Sequence, residues 1–85
     1  MNNVDQKHAL LRKIARLQEF YDNERLHAFY HTCEKENIDV CAAYEMMDHA
    51  VMKSVRRVGE APEFDGLVQS VVKTLKTHKL LTFLN

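Results

Sequence analysis

His27 and His31 stand four residues apart, with Glu24 one turn before them and Glu34 about one turn after. On a helix, that spacing sends both imidazoles out from one side, where two rings and a carboxylate can hold a metal ion. The stretch LHAFYHTCEKENIDVCAAYEMMDHA carries three of the five histidines, both cysteines and five of the twelve carboxylates. ERLH spells the Glu-x-x-His element of di-iron helical bundles, but such bundles need a second copy and two further inward glutamates. The sequence has no second Glu-x-x-His. Cys33 points along the apolar stripe, away from the histidines, and reads as a small core residue. The sequence therefore predicts no metal and no cofactor, with His27 and His31 flanking the core.

YEMMDHAVMKSVRR offers a second constellation. Glu45, His49 and Lys53 form one i, i+4, i+8 row, and Asp48, Met52 and Arg56 a neighbouring one. A histidine between carboxylates can act as a general base. Catalysis also needs a nucleophile or a substrate cleft, and no serine, cysteine or glycine-rich loop is placed to supply one. The Glu45 row reads as a solvated ladder of helix ion pairs, and the chain as non-catalytic.

The elements that must position these residues are helical. With two glycines and one proline in 85 residues, a turn-rich β-sandwich or barrel is disfavoured. Leu10, Leu11, Ile14, Leu17 and Tyr21 recur at threes and fours, which predicts a first helix over 4–21. Leu26, Phe29, Tyr30 and Cys33 form a new stripe over 23–36, capped by Asp22 or Asn23. A single helix with a stutter joining the two is the competing arrangement. Asp39 caps a third helix over 39–58, whose stripe is Val40, Tyr44, Met47, Val51, Val55 and Val58, with Gly59 ending it. Phe64, Leu67, Val68, Val71, Val72 and Leu75 place a fourth over 62–82. The fold expected is a single all-α domain, 1–85, in a small antiparallel four-helix bundle.

The totals narrow the function classes. Hydrophobic residues make up 46% and charged residues 28%, which suits a globular domain rather than a disordered chain. Twelve basic and twelve acidic residues balance, so phosphate neutralisation is disfavoured and one barrier to self-association is absent. Two cysteines make no disulfide framework, and neither a signal peptide nor a membrane span is legible, so a cytoplasmic location is expected.

The apolar residues exceed what one helix face can bury. Leu80, Leu81, Phe83 and Leu84 cannot all join the face that holds Leu67, Val71 and Leu75. Met46 and Met52 fall outside the arc of the third helix. Such a surplus is either a second internal contact or an exposed patch, and methionine with leucine and phenylalanine makes an adaptable binding surface. The predicted contact surface joins these six residues to Glu45 and Asp48 in an acidic group. It would suit a protein partner or a homodimer, as in small adaptors, inhibitors (phage-encoded ones among them) and regulators that occlude or bridge. The alternative is a nucleic-acid-linked regulator using Arg56, Arg57, Lys73, Lys76 and Lys79, gathered on one side of the last two helices.

The third segment, VCAAYEMMDHAVMKSV, resembles the central helix of the Hha/YmoA family in Tyr44, Asp48 and His49 and in its place after two shorter helices. Those are small helical bacterial proteins that attach to the nucleoid protein H-NS and modulate silencing. The resemblance implies a nucleoid-associated regulator in which Asp48 and its acidic neighbours face the partner. The chain departs from that family in a longer, more apolar fourth segment and in its lack of basic excess.

Overall fold

A computed structural model describes the backbone of residues 3–84 and the side chains of residues 5 and 7–79. Four helices follow in order: α1 Asn3–Leu17, α2 Asn23–Lys35, α3 Val40–Val58 and α4 Phe64–Leu84.

Each boundary has a local cause. Asp22 caps α2 by accepting from the Arg25 amide at 2.8 Å, and Asp39 caps α3 by accepting from the Cys41 amide at 3.2 Å. At the end of α2, Asn37 takes φ 56°, the Asn37 amide donates to the Glu34 carbonyl, and the Ile38 amide to that of Cys33. This paired closure satisfies carbonyls that the helix leaves open, and asparagine tolerates the left-handed turn better than most residues. Gly59 ends α3 at φ 82°, donating to the Val55 carbonyl at 2.9 Å. The fourth helix starts at Phe64 rather than 62, because the Glu63 carboxylate accepts from the amides of Asp65 and Gly66. Those bonds hold the Glu63 carboxyl below its ordinary range.

The first helix stops four residues earlier than its apolar period predicts, and it is not continuous with α2. After Leu17 the chain tightens, with Glu19 and Phe20 amides donating three residues back. Tyr21 leaves the helix, buries its ring edge-on to Phe64 at 4.9 Å, and donates its hydroxyl to the Pro62 carbonyl at 2.7 Å. The gain is a tie to the α3–α4 loop that a continuing helix could not make.

α3 packs against each of the other three helices, most extensively against α1 and α4. Lys79, late in α4, reaches the Asn37 carbonyl just ahead of α3, so α3 and α4 are antiparallel. α1 runs parallel to α3: Leu10 and Lys13 border Cys41 and Glu45, and Arg16 meets Asp48 further along. The two helices are therefore parallel and in direct contact, with α3 at the centre of the bundle. Leu17, Phe29, Cys33, Met47 and Val51 are fully buried at the centre. The Phe29 ring meets Tyr44 edge-on at 5.2 Å, and the Tyr44 hydroxyl donates to the Leu26 carbonyl at 3.0 Å.

Several stripe residues are not core. Leu11 and Val58 are exposed at 50% and 68%, and Tyr30 is also exposed. All three flank the buried arc of their helix, where three- and four-residue spacing admits more positions than one neighbour can cover.

Candidate protein-binding face

Among the described residues, no helix is laid over the outer face of α3. It carries an open groove of about 700 Å³ whose floor includes Ala42, Met46, Ala50 and Met52. Lys13 and Arg16 of α1 border one side, while Glu45, His49 and Arg56 border it from α3 itself. Met46 is half-buried and packs partly against the core; Met52 is half-buried at the other edge of the face. Ala42 also lines a second hollow, of about 660 Å³, closed by Ile38, Leu75, His78 and Lys79. The apolar surface therefore continues across α3 toward the last turns of α4. Leu80, Leu81, Phe83 and Leu84 follow there, and their side chains lie outside the described residues.

Asp48 corrects the predicted acidic surface. Only 6% exposed, it is held by a two-pronged bond: Arg16 Nε donates to Oδ1 at 2.8 Å and Nη2 to Oδ2 at 2.6 Å. On the α3 wheel Asp48 sits at the edge of the apolar arc, on the side α1 covers, so its carboxylate is taken by α1 although the residue still lines the groove. A planar guanidinium matches a carboxylate in this fork, and lysine cannot reproduce it. Asp48 in turn raises the Arg16 pKa, through the hydrogen bond first and the charge second. Arg16 stays half exposed on the groove wall, so the pair both docks α1 and shapes the site. Thermal midpoints are expected to fall in the order wild type, Arg16→Lys, Arg16→Gln. A glutamine variant as stable as the wild type would show that the fork does not hold α1.

The other carboxylates between residues 34 and 48 do not form one acidic patch either. Glu34 lies beside His31, Glu36 accepts from Lys76 at 2.8 Å, and Asp39 caps α3. Lys76 draws the Glu36 carboxyl below its ordinary range. Glu45 alone of the set stands exposed on the groove rim.

The five basic residues of the nucleic-acid alternative do not gather. Arg56 and Arg57 occupy the last turn of α3, whereas Lys76 and Lys79 tie α4 to the turn ahead of α3. The antiparallel packing that was to unite them separates them, since α3 spans roughly 27 Å. Lys73 borders a hollow between α2 and α4 with Val68 and Val72.

His27 and His31 are exposed on α2, with their Nε2 atoms 3.0 Å apart. Among the described residues, no group of three or more histidine, cysteine or acidic side chains could hold a metal ion. Cys33 is buried, and burial pushes its thiol up to about 11, which makes it an inert core residue. Sequence reasoning missed Lys13, Arg16 and Ala42 as parts of the face. No periodicity could reveal the two α1 residues, because a helix neighbour 32 residues away leaves no local signal, whereas Ala42 stands four before Met46 on the same helical row.

The fold and site define a small helical protein with an uncovered, apolar-floored face on its central helix. Comparison with family models, with curated proteins and with solved structures finds no match to this chain. Among the described residues, no helix is long and apolar enough to cross a membrane.

Proposed function

We propose that this chain is a non-catalytic protein-interaction module of the cytoplasm: a small adaptor, inhibitor or regulator that acts by occluding or bridging a protein partner. The observation that carries the reading is the outer face of α3. In a domain this small, half-buried methionines over an open groove keep apolar surface in water that a fourth packed neighbour would remove. Methionine side chains are unbranched and polarizable, so one surface can fit a partner's apolar residues by changing rotamers. Arg16, Glu45, His49 and Arg56 around that floor supply charges of both signs, which orient a partner more than they tighten it. Leu80, Leu81, Phe83 and Leu84 extend the face in this reading, and a second copy of the chain is one partner it admits.

The test compares wild type with Met46→Asp/Met52→Asp, each checked for helix content. Light scattering reads self-association, and capture from a native extract reads other partners. The double variant is expected to lose whatever the wild type holds, while Lys73→Glu, on another surface, keeps it. Equal retention by all three proteins contradicts the reading.

A further inference from the structure

We propose that His27 and His31 form a two-histidine clip for a divalent transition metal on the exposed side of α2, remote from the α3 face. Spacing alone did not carry this site; the geometry adds two observations.

The first is the approach of the ring nitrogens. The two Nε2 atoms lie 3.0 Å apart, with ring centroids at 4.5 Å and planes at 89°. A collinear N–H···N bond would hold the centroids roughly 5.3 Å apart. The contact is therefore bent, and the nitrogens do not point straight at each other. Bonds of about 2.0–2.1 Å from both nitrogens to one ion subtend about 90–95° at this spacing. That is the angle between adjacent ligands in a tetragonal or octahedral centre, the geometry that suits nickel or copper. A tetrahedral zinc centre would need the nitrogens about 0.3 Å further apart, within reach of a small rotation of either exposed ring.

The second observation is Glu34. Its Oε1 lies 3.3 Å from His31 Nδ1, on the side of the ring away from His27. A carboxylate there favours the proton on Nδ1, which makes His31 Nε2 the accepting nitrogen. The metal then displaces the His27 Nε2 proton, which His27 carries on Nδ1 or releases to solvent, so that both Nε2 lone pairs ligate. The same outer partner orients metal-ligating histidines generally, and its removal typically costs 10–100-fold in metal affinity. His27, His31 and Glu34 are all exposed on one helix, so the clip needs no rearrangement of the core. Two protein ligands leave the other positions to water, which makes this an open, exchangeable site rather than a structural one.

The test uses the full chain without a histidine tag and titrates it with Ni²⁺ by calorimetry, with Zn²⁺ in parallel. Nickel avoids the thiol oxidation that copper would bring to exposed Cys41. One Ni²⁺ per chain is expected. His27→Gln and His31→Gln should each weaken binding at least tenfold, Glu34→Gln should weaken it less, and His49→Gln on α3 should leave it unchanged. Because all these side chains are exposed, circular dichroism should report the same fold throughout. Nickel binding that survives both histidine substitutions, or no binding to the wild type at millimolar metal, overturns the proposal. Neither result bears on the α3 face, which carries none of these ligands.

Discussion

Phe29→Ala is expected to lose about 3–5 kcal/mol of stability, the range for truncating a fully buried phenylalanine. Phe29 is 1% exposed at the centre of the helix assembly, with its ring edge-on to Tyr44. An 85-residue chain has roughly 4–13 kcal/mol of total stability to draw on. One truncation therefore takes about a quarter or more of that reserve, and all of it at the lower end. Packing is the reason the loss is so large: Phe29 sits inside the shared core, and the surrounding side chains relax only partly into the cavity its ring leaves. Leu11→Ala is the matched control, because Leu11 is half exposed and should cost about 0.5 kcal/mol or less. Urea midpoints of the two variants measure the contrast directly. If both lost the same small amount, the core would not be centred where α2 meets α3.

The second large effect lies at alkaline pH. Burial pushes the Cys33 thiol from 9.0 up to about 11 and the Tyr44 hydroxyl from 10.0 up to about 12. Tyr21 is raised as well, by burial first and by the Glu63 charge second. Below about pH 8 these groups hold their protons whether the chain is folded or not, and they add no pH dependence. Between the ordinary and the raised values the unfolded chain releases protons that the folded chain keeps. Stability must then fall as pH rises, because the folded state binds more protons. For Cys33 and Tyr44 the full loss is roughly 2–3 kcal/mol each, complete only above the raised values. Urea midpoints should be flat from pH 7 to about 8 and drop steadily toward 11.5. Tyr44→Phe starts lower, having lost the bond to the Leu26 carbonyl, but its later decline should be shallower. A wild-type midpoint that stays constant to pH 11.5 would mean that these groups meet water in the folded chain.

The residues that announce themselves locally were legible in the sequence. Asp22, Asp39 and Gly59 mark helix ends because a cap acts within one turn of its own position, and the structure uses all three as caps. Cys33, Met47 and Val51 repeat at helical spacing and are fully buried. What depends on a distant neighbour was not legible. Tyr21 fits the α1 period, yet it is captured by a carbonyl 41 residues away. Asp48 looks like a surface acid by type, and only the arrival of Arg16 from α1 makes it a buried one. The basic residues of α3 and α4 lie close in the chain but at opposite ends of the helix pair, because an antiparallel turn reverses distance along the axis. Met46, Met52 and Glu45 line one groove, as their positions on a helix predict, whereas the α1 wall of that groove left no local signal.

The most direct test of the central claim places a photo-cross-linking residue at Met52, in the groove, and in a second protein at Val58, exposed on the same helix but outside the groove. Irradiation in a native extract should give a discrete protein adduct from position 52 and none from position 58. Adding Met46→Asp to the first protein should abolish that adduct. An adduct of twice the chain mass would make the partner a second copy; any other mass would give the size of a different one. Identical products from both positions, or none from position 52, would contradict the assignment of the α3 face as the surface through which this protein acts.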